Sequence, residues 1–318
     1  MLLLFALPSG CARRASTGLT PDQDYCGPIV PASGGASASR VSGLDCGGLQ
    51  SPAILFDGGR YKMWFTCGDS IAFSSSTDGD HWSSPVTITL INVPRRARLA
   101  AVFAPTVIKV GNANLMWFTA RDSTDTLRIE LAGSNNDIAW FFVGQPTASN
   151  QADTLFKQAR DPFVLFENGI FTMWFVNERP PHALMRSTST NATFWTTPLP
   201  SLVPLAGWEA GGVGSPTILE TGGQFHLWYQ GWNANRSVSS IGYARSADGF
   251  TWAECDRNPV IARGLEAWNA GSVTDPEVAV VGDRIRVYYL GRPASGSSPV
   301  AGYAFPLSSC LSWDCYGH

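Results

Sequence analysis

Five carboxylates stand where this sequence could place acid–base chemistry. Asp161 lies between Arg160 and Pro162, and Asp275 precedes Pro276, with Glu277 two residues further on. Glu178 sits in Asn177-Glu178-Arg179, and Glu209 in Trp208-Glu209-Ala210-Gly211-Gly212. Two carboxyl groups held in different environments can divide the work, one protonating a leaving group and the other activating water. Asp161, Asp275, Glu277, Glu209 and Glu178 are therefore the candidate catalytic residues. Ser51, Arg160, Arg121, Asp122, Ser215 and Trp232 are the candidate substrate-binding residues. Asp78 and Asp248 stand in turn phrases and are set aside as structural. The four histidines are scattered and no Cys-x-x-Cys pair exists, so no zinc ligand set is expected. Gly-x-Ser-x-Gly, Walker and dinucleotide motifs are absent.

These acids belong to a phrase that recurs five times. Its starts are Ser51-Pro52, Ala104-Pro105, Asp161-Pro162, Ser215-Pro216 and Asp275-Pro276, each followed by an apolar strand, a turn and a second, aromatic-rich strand. Four of the second strands carry Trp at matching places: Trp64, Trp117, Trp174 and Trp228. A second phrase, Ser-x-(Asp/Asn)-x-x-x-Trp, closes a third strand at Ser76–Trp82, Ser134–Trp140, Ser189–Trp195 and Ser246–Trp252. A repeat of roughly 40–60 residues with four strands per unit marks a β-propeller. The expected fold is all-β: a five-bladed propeller with four antiparallel strands per blade. The fifth copy lacks its own fourth strand. Residues 27–31 resemble Asn258–Ile261, so an N-terminal strand is expected to pair near Ala301–Phe305 and close the ring, removing an exposed edge. The first strands then line the axis, and the residues before the prolines meet at one mouth with the ends of the second strands. That makes a funnel suited to a small ligand.

Composition agrees with one exported domain. Apolar residues make up 44% of the 318, charged residues 15%, and Gly and Trp number 32 and 12. That suits short strands, tight turns and large packing anchors. A formal charge of −3 argues against nucleic acid as a partner. Residues 1–24 are expected to form an export signal and tether, and 25–318 the propeller. The apolar start ending at Cys11 resembles a bacterial lipoprotein signal, which implies a lipid anchor or secretion. Without Cys11, six cysteines remain, enough for disulfides in an oxidising compartment but with fifteen connectivities open. Cys46 with Cys67, and Cys26 with Cys310, are the expected neighbours; Cys255 and Cys315 are left unassigned. The chain is expected to be a monomer.

The strand starts, the Met-Trp-Phe second strands and the Ser-x-Asp-Gly-x-x-Trp turns resemble the five-bladed propellers of glycoside hydrolase families 43, 32, 68 and 130. The resemblance covers roughly residues 27–306. Arg160-Asp161-Pro162 is similar to the Arg-Asp-Pro motif of the invertase and fructanase branch, whose Asp stabilises the transition state. The resemblance implies an exported glycoside hydrolase acting on poly- or oligosaccharide, in which two acids flank the bond at about 5–5.5 Å for retention or 6.5–9.5 Å for inversion. Two departures stand against it. Ser51 replaces the expected base or nucleophile, and Gly214 replaces the expected acid. A non-catalytic carbohydrate-binding propeller is the alternative, and a phosphorylase of the family-130 kind, holding phosphate through Arg121, Arg179 or Arg292, is a third. No cofactor is called for, and a Ca²⁺ in the channel, known in related propellers, is left open.

Overall fold

The computed structural model describes residues 24–26, 30–31, 41–46, 48–148, 157–264, 267–282 and 284–305. The lipoprotein-like start, Cys11, Cys310 and Cys315 lie outside them. Five antiparallel sheets stand around one axis. Blade one comprises Leu49–Asp57, Arg60–Cys67, Ser70–Ser76 and Val86–Thr87. Blade two comprises Leu99–Val110, Ala113–Asp122, Leu127–Ser134 and Ala139–Gly144, with Thr89–Ile91 added in parallel outside. Blade three is built on Ala159–Glu167, Ile170–Asn177 and Leu184–Ser189, with Phe194–Trp195 and Leu199–Leu202 both pairing the third strand. Blade four runs Gly212–Thr221, Gln224–Trp232, Ser239–Ser246 and Ala253–Glu254. Its outer strand was expected at Asn258–Ile261, but there only Ile261 bridges back, to Ile241.

Blade five contains Ser272–Val281, Arg284–Arg292 and Val300–Phe305, and its fourth strand is Val30–Pro31 from the other end of the chain. The register is Val30 opposite Phe305 and Pro31 opposite Ala304. The ring is thus closed by the N-terminal strand at the place the repeat pattern indicates. Tyr25, just before it, is 3% exposed and packs among His226, Trp228 and Tyr243. A disulfide joins the neighbouring Cys26 to Cys255, not to Cys310. The expected Cys46–Cys67 pair corrects differently. The two meet, Cys67 Sγ lying 3.3 Å from the Cys46 carbonyl, but both are free thiols. Burial, followed by the Cys67 side chain, pushes the Cys46 thiol up to about 12.

The second strands explain why the sequence reads as continuous apolar runs. Each is sandwiched between two neighbouring blades, so both of its faces are buried. Met63 and Phe65 join Tyr288, Leu290 and Tyr303 in the cluster between blades one and five. Trp64, pointing the other way, joins Met116 and Phe118 between blades one and two. The same alternation gives three more clusters around the ring. The turn phrases are scaffold: Asp78 Oδ1 accepts the amides of Asp80 and His81, and Asp248 Oδ1 those of Phe250 and Thr251.

Candidate active site at the axial funnel

The five residues before the prolines share one unusual backbone. Ser51, Ala104, Asp161, Ser215 and Asp275 have φ of 44°, 48°, 52°, 43° and 52°. Positive φ is costly for a residue with a side chain, and a following proline disfavours helical geometry as well. Each of these residues sits inside a break in register between the first two strands, such as Arg160/Phe163 and Thr274/Glu277. Such a bulge kinks the strand and re-aims the side chain. All five, with their prolines, line an axial cavity of about 30 Å³, room for a water or two.

Neighbouring blades hold these strained residues in place. Thr66 Oγ1 accepts the amide of Ala104 at 2.9 Å, Thr119 Oγ1 that of Asp161 at 3.0 Å, and Gln230 Oε1 that of Asp275 at 3.3 Å. The equivalent residue of blade three is Val176, which has no side-chain acceptor. There the Asp161 carboxylate takes over, accepting the Ser215 amide at 3.3 Å. Asp161 is thereby part of the scaffold as well as of the funnel.

A chain of polar groups crosses the funnel floor. Ser51 Oγ and Ser215 Oγ each lie 3.1 Å from Asp275 Oδ1, and Ser215 Oγ lies 3.3 Å from Asp161 Oδ2. Asp161 and Asp275 are therefore separated by no more than two hydrogen-bond lengths through one hydroxyl. Arg160 Nη1 donates to Asp161 Oδ2, and Arg160 Nε donates to Glu178 Oε1. His182 Nδ1 and Arg236 Nη1 approach the other Glu178 oxygen at 3.5 and 3.9 Å. Burial, followed by the charge of Asp161, pushes the Asp275 carboxyl above its ordinary value of 3.8. Burial acts the same way on Glu178, but Arg160 outweighs it and holds that carboxyl below its usual range. Burial also disfavours the Arg160 charge, yet Asp161 and Glu178 keep the guanidinium above its ordinary value.

Trp232 carries two cations: the guanidinium carbons of Arg160 and Arg236 lie 5.1 and 4.7 Å from its ring centre. Its ring also fills the space beside Gly214. A Cβ there would stand 2.7 Å from Trp232 Cη2 and 3.2 Å from Arg160 Nη1. The position that holds an acid in the resembled families is thus covered by an indole.

The remaining candidates fall elsewhere. Glu277 lines the axial cavity but is spent on the ring. Its oxygens accept from the Ile54 amide at 2.7 Å and Thr217 Oγ1 at 2.9 Å, tying blade five to blades one and four. Glu209 is fully buried behind blade four, accepting the Leu205 amide at 2.8 Å, and does not join the funnel acids. It matches Asn269 of blade five in position and burial, and burial raises its pKa. Asp122 anchors its own hairpin, accepting from Thr124 Oγ1, the amides of Thr124 and Thr126, and Arg128 Nη1. Arg121 is a rim residue facing Asp69 at 3.3 Å. Gln230, His182 and Arg236 escaped the sequence reading. Gln230 had a signal: a polar residue after the second-strand aromatic, as in Phe65-Thr66 and Phe118-Thr119. Among the described residues no cluster of three or more His, Cys, Asp or Glu is arranged to hold a metal ion.

Solved structures share this architecture. A thermostable family-43 glycoside hydrolase is 18% identical, with a TM-score of 0.67 over 80% of this chain and 88% of its own. An exo-1,5-α-L-arabinanase from a bovine ruminal metagenomic library is 14% identical, with a TM-score of 0.62 over 82% and 94%. The catalytic domain of a GH62 α-L-arabinofuranosidase of Coprinopsis cinerea is 12% identical, with a TM-score of 0.62 over 89% and 96%. What they share with this chain is the fold. No family model and no curated protein matches the sequence.

Proposed function

We propose that this chain is an exported glycoside hydrolase whose funnel takes the end of a poly- or oligosaccharide. The observation that carries the proposal is the grouping of three carboxyls at one funnel: Asp275 stands one serine hydroxyl from Asp161, and Asp161 and Glu178 share the Arg160 guanidinium. Burial pushes Asp275 upward and Arg160 holds Glu178 downward. Environments that push two acids apart suit one as proton donor and the other as ionised base. In this mechanism Asp275 gives its proton to the glycosidic oxygen as the C–O bond breaks. Asp161, ionised beside Arg160, stabilises the positive charge that develops on the sugar. Glu178 takes a proton from the attacking water. Trp232, already engaged by two guanidiniums, fixes Arg160 rather than offering an open stacking face. The Cys26–Cys255 disulfide supports an oxidising compartment and therefore export, with lipidation at Cys11 as the anchor.

A second reading, a carbohydrate-binding propeller without turnover, is favoured by two details: Ser51 stands in the base position, and Trp232 covers Gly214. A panel of aryl glycosides and oligosaccharides, assayed for both turnover and binding, separates the two. For the hydrolase, Asp161→Asn lowers kcat by about 10²-fold or more with little change in KM, since the charge acts on the transition state. For a binding protein, no member of the panel is cleaved, and the same variant weakens affinity by about 1.5–3 kcal/mol.

A further inference from the structure

One hydroxyl at the funnel floor has more acceptors than it can serve. Ser215 Oγ faces Asp275 Oδ1 at 3.1 Å, Asp161 Oδ2 at 3.3 Å and Gln230 Oε1 at 3.4 Å. A serine hydroxyl has one hydrogen to donate and two lone pairs to receive. Gln230 cannot relieve the shortage, because its oxygen, not its amide nitrogen, receives the Asp275 amide and is thereby fixed toward the site. Asp161 Oδ2 already accepts from Arg160 Nη1 and the Ser215 amide, which marks it as the charged end. One further proton is required, and Asp275 Oδ1 is the atom placed to carry it. That oxygen can then donate to Ser215 Oγ and accept from Ser51 Oγ, while Ser215 donates onward to Asp161.

We infer that Ser215 is a positioning residue that couples Asp161 and Asp275 around a single shared proton, its hydroxyl swinging from Asp161 to Asp275 when Asp275 gives that proton up. The inference rests on the proposed function for its purpose but not for its geometry. The balance is simple. The Asp275 O–H bond breaks, its proton passes to the leaving oxygen, and Ser215 keeps its own hydrogen and merely redirects it. The donor follows the charge, so the new carboxylate is met without solvent. Charged groups bearing on Asp275 are Asp161 across Ser215 and Arg160 beyond it, and Glu277 lines the same cavity. In blade two the same strained position holds Ala104, so Ser215→Ala is compatible with the backbone.

The test follows the Asp275 carboxyl by ¹³C NMR in the intact protein labelled at aspartate, with the signal assigned through Asp275→Asn. No substrate is needed, so a failed activity screen leaves this result standing. In the wild type, one aspartate titrates above the ordinary carboxylate range. Ser215→Ala removes a donor from the ionised form and makes that group about tenfold weaker as an acid, the scale of one pKa unit. Asp161→Asn removes the neighbouring charge and makes it a stronger acid. An Asp275 signal that titrates in the ordinary range, or one that Ser215→Ala leaves unmoved, overturns the coupling.

Discussion

Removing the Cys26–Cys255 disulfide should open the ring before it melts the blades. The perturbation is Cys26→Ala with Cys255→Ala, compared with the oxidised parent. The bond spans 229 residues, and loop-closure entropy for so long a span sets a ceiling of about 5 kcal/mol. The effect should fall below that ceiling, because the variant has a cheaper route than global unfolding. Among the described residues two pairs join Val30–Pro31 to Val300–Phe305 and the Val41 amide donates to the Ala301 carbonyl, so the N-terminal segment can detach by losing those bonds and the Tyr25 contacts. A loss of about 2–4 kcal/mol is expected, the usual range for a disulfide. At about 2–4 °C per kcal/mol for a domain of 150–250 residues, melting falls by roughly 5–15 °C. Calorimetry reads the melting temperature, and hydrogen exchange reads the amides of Val300–Phe305, which should lose protection first. Equal melting temperatures together with unchanged exchange in that strand would refute the idea that the crosslink holds the ring shut.

Other outcomes can be checked with the same protein. Gly214→Ala places a methyl 2.7 Å from the Trp232 ring and should cost about 1–3 kcal/mol by overpacking; an unchanged melting temperature would mean the indole moves freely. Glu277→Ala strands the Ile54 amide and the Thr217 hydroxyl, each worth about 1–3 kcal/mol when left unpaired, so urea unfolding should shift clearly to lower concentration. Folding raises the Asp275 pKa, so its favourable contribution is full below 3.8 and is lost as pH rises through the folded value. Asp275→Asn should then raise the melting temperature at neutral pH and not in strong acid; parallel curves would contradict the burial. Burial holds His226 down at about 4, against 6.5 when unfolded, so stability should fall as pH drops across that interval and do so less in His226→Gln.

The fold was legible because four blades repeat the same three signals, a proline-led strand, a Trp-bearing second strand and an Asx turn ending in Trp, and the fifth keeps the proline-led strand. The closing strand was placed on the right edge, but the resemblance of Gly27-Pro28-Ile29-Val30 to Asn258-Pro259-Val260-Ile261 did not give its register: Ile261 bridges Ile241, whereas Val30 pairs Phe305, four residues beyond the equivalent Ala301. The funnel was less legible. Glu209 was a candidate as an acid close to Gly214, though five residues early, yet it aligns with Asn269, whose burial shows the position belongs to packing. Glu277 faces the axis as alternation demands, but the partners that occupy it come from blades one and four, which no local pattern reveals. His182 and Arg236 lie in loops at φ of 57° and 55°, and only the folded ring brings them to Glu178. Cys255 meets Cys26 because closure carries the N-terminus past blade four, a long-range event that cysteine spacing does not encode.

The ring of positive-φ residues before the prolines limits what evolution can write around the axis. Its alphabet here is Ser, Ala and Asp, all short. β-branched and bulky side chains are penalised in that backbone, whereas Asp tolerates it better than most. A longer acid must therefore enter from a flanking position or from a second-strand end, as Glu178 does. Exchanging Asp275 for Ser or Ala alters charge without altering the socket, whereas losing Asp161 also removes the acceptor of the Ser215 amide, so the two floor acids are not equally free to change.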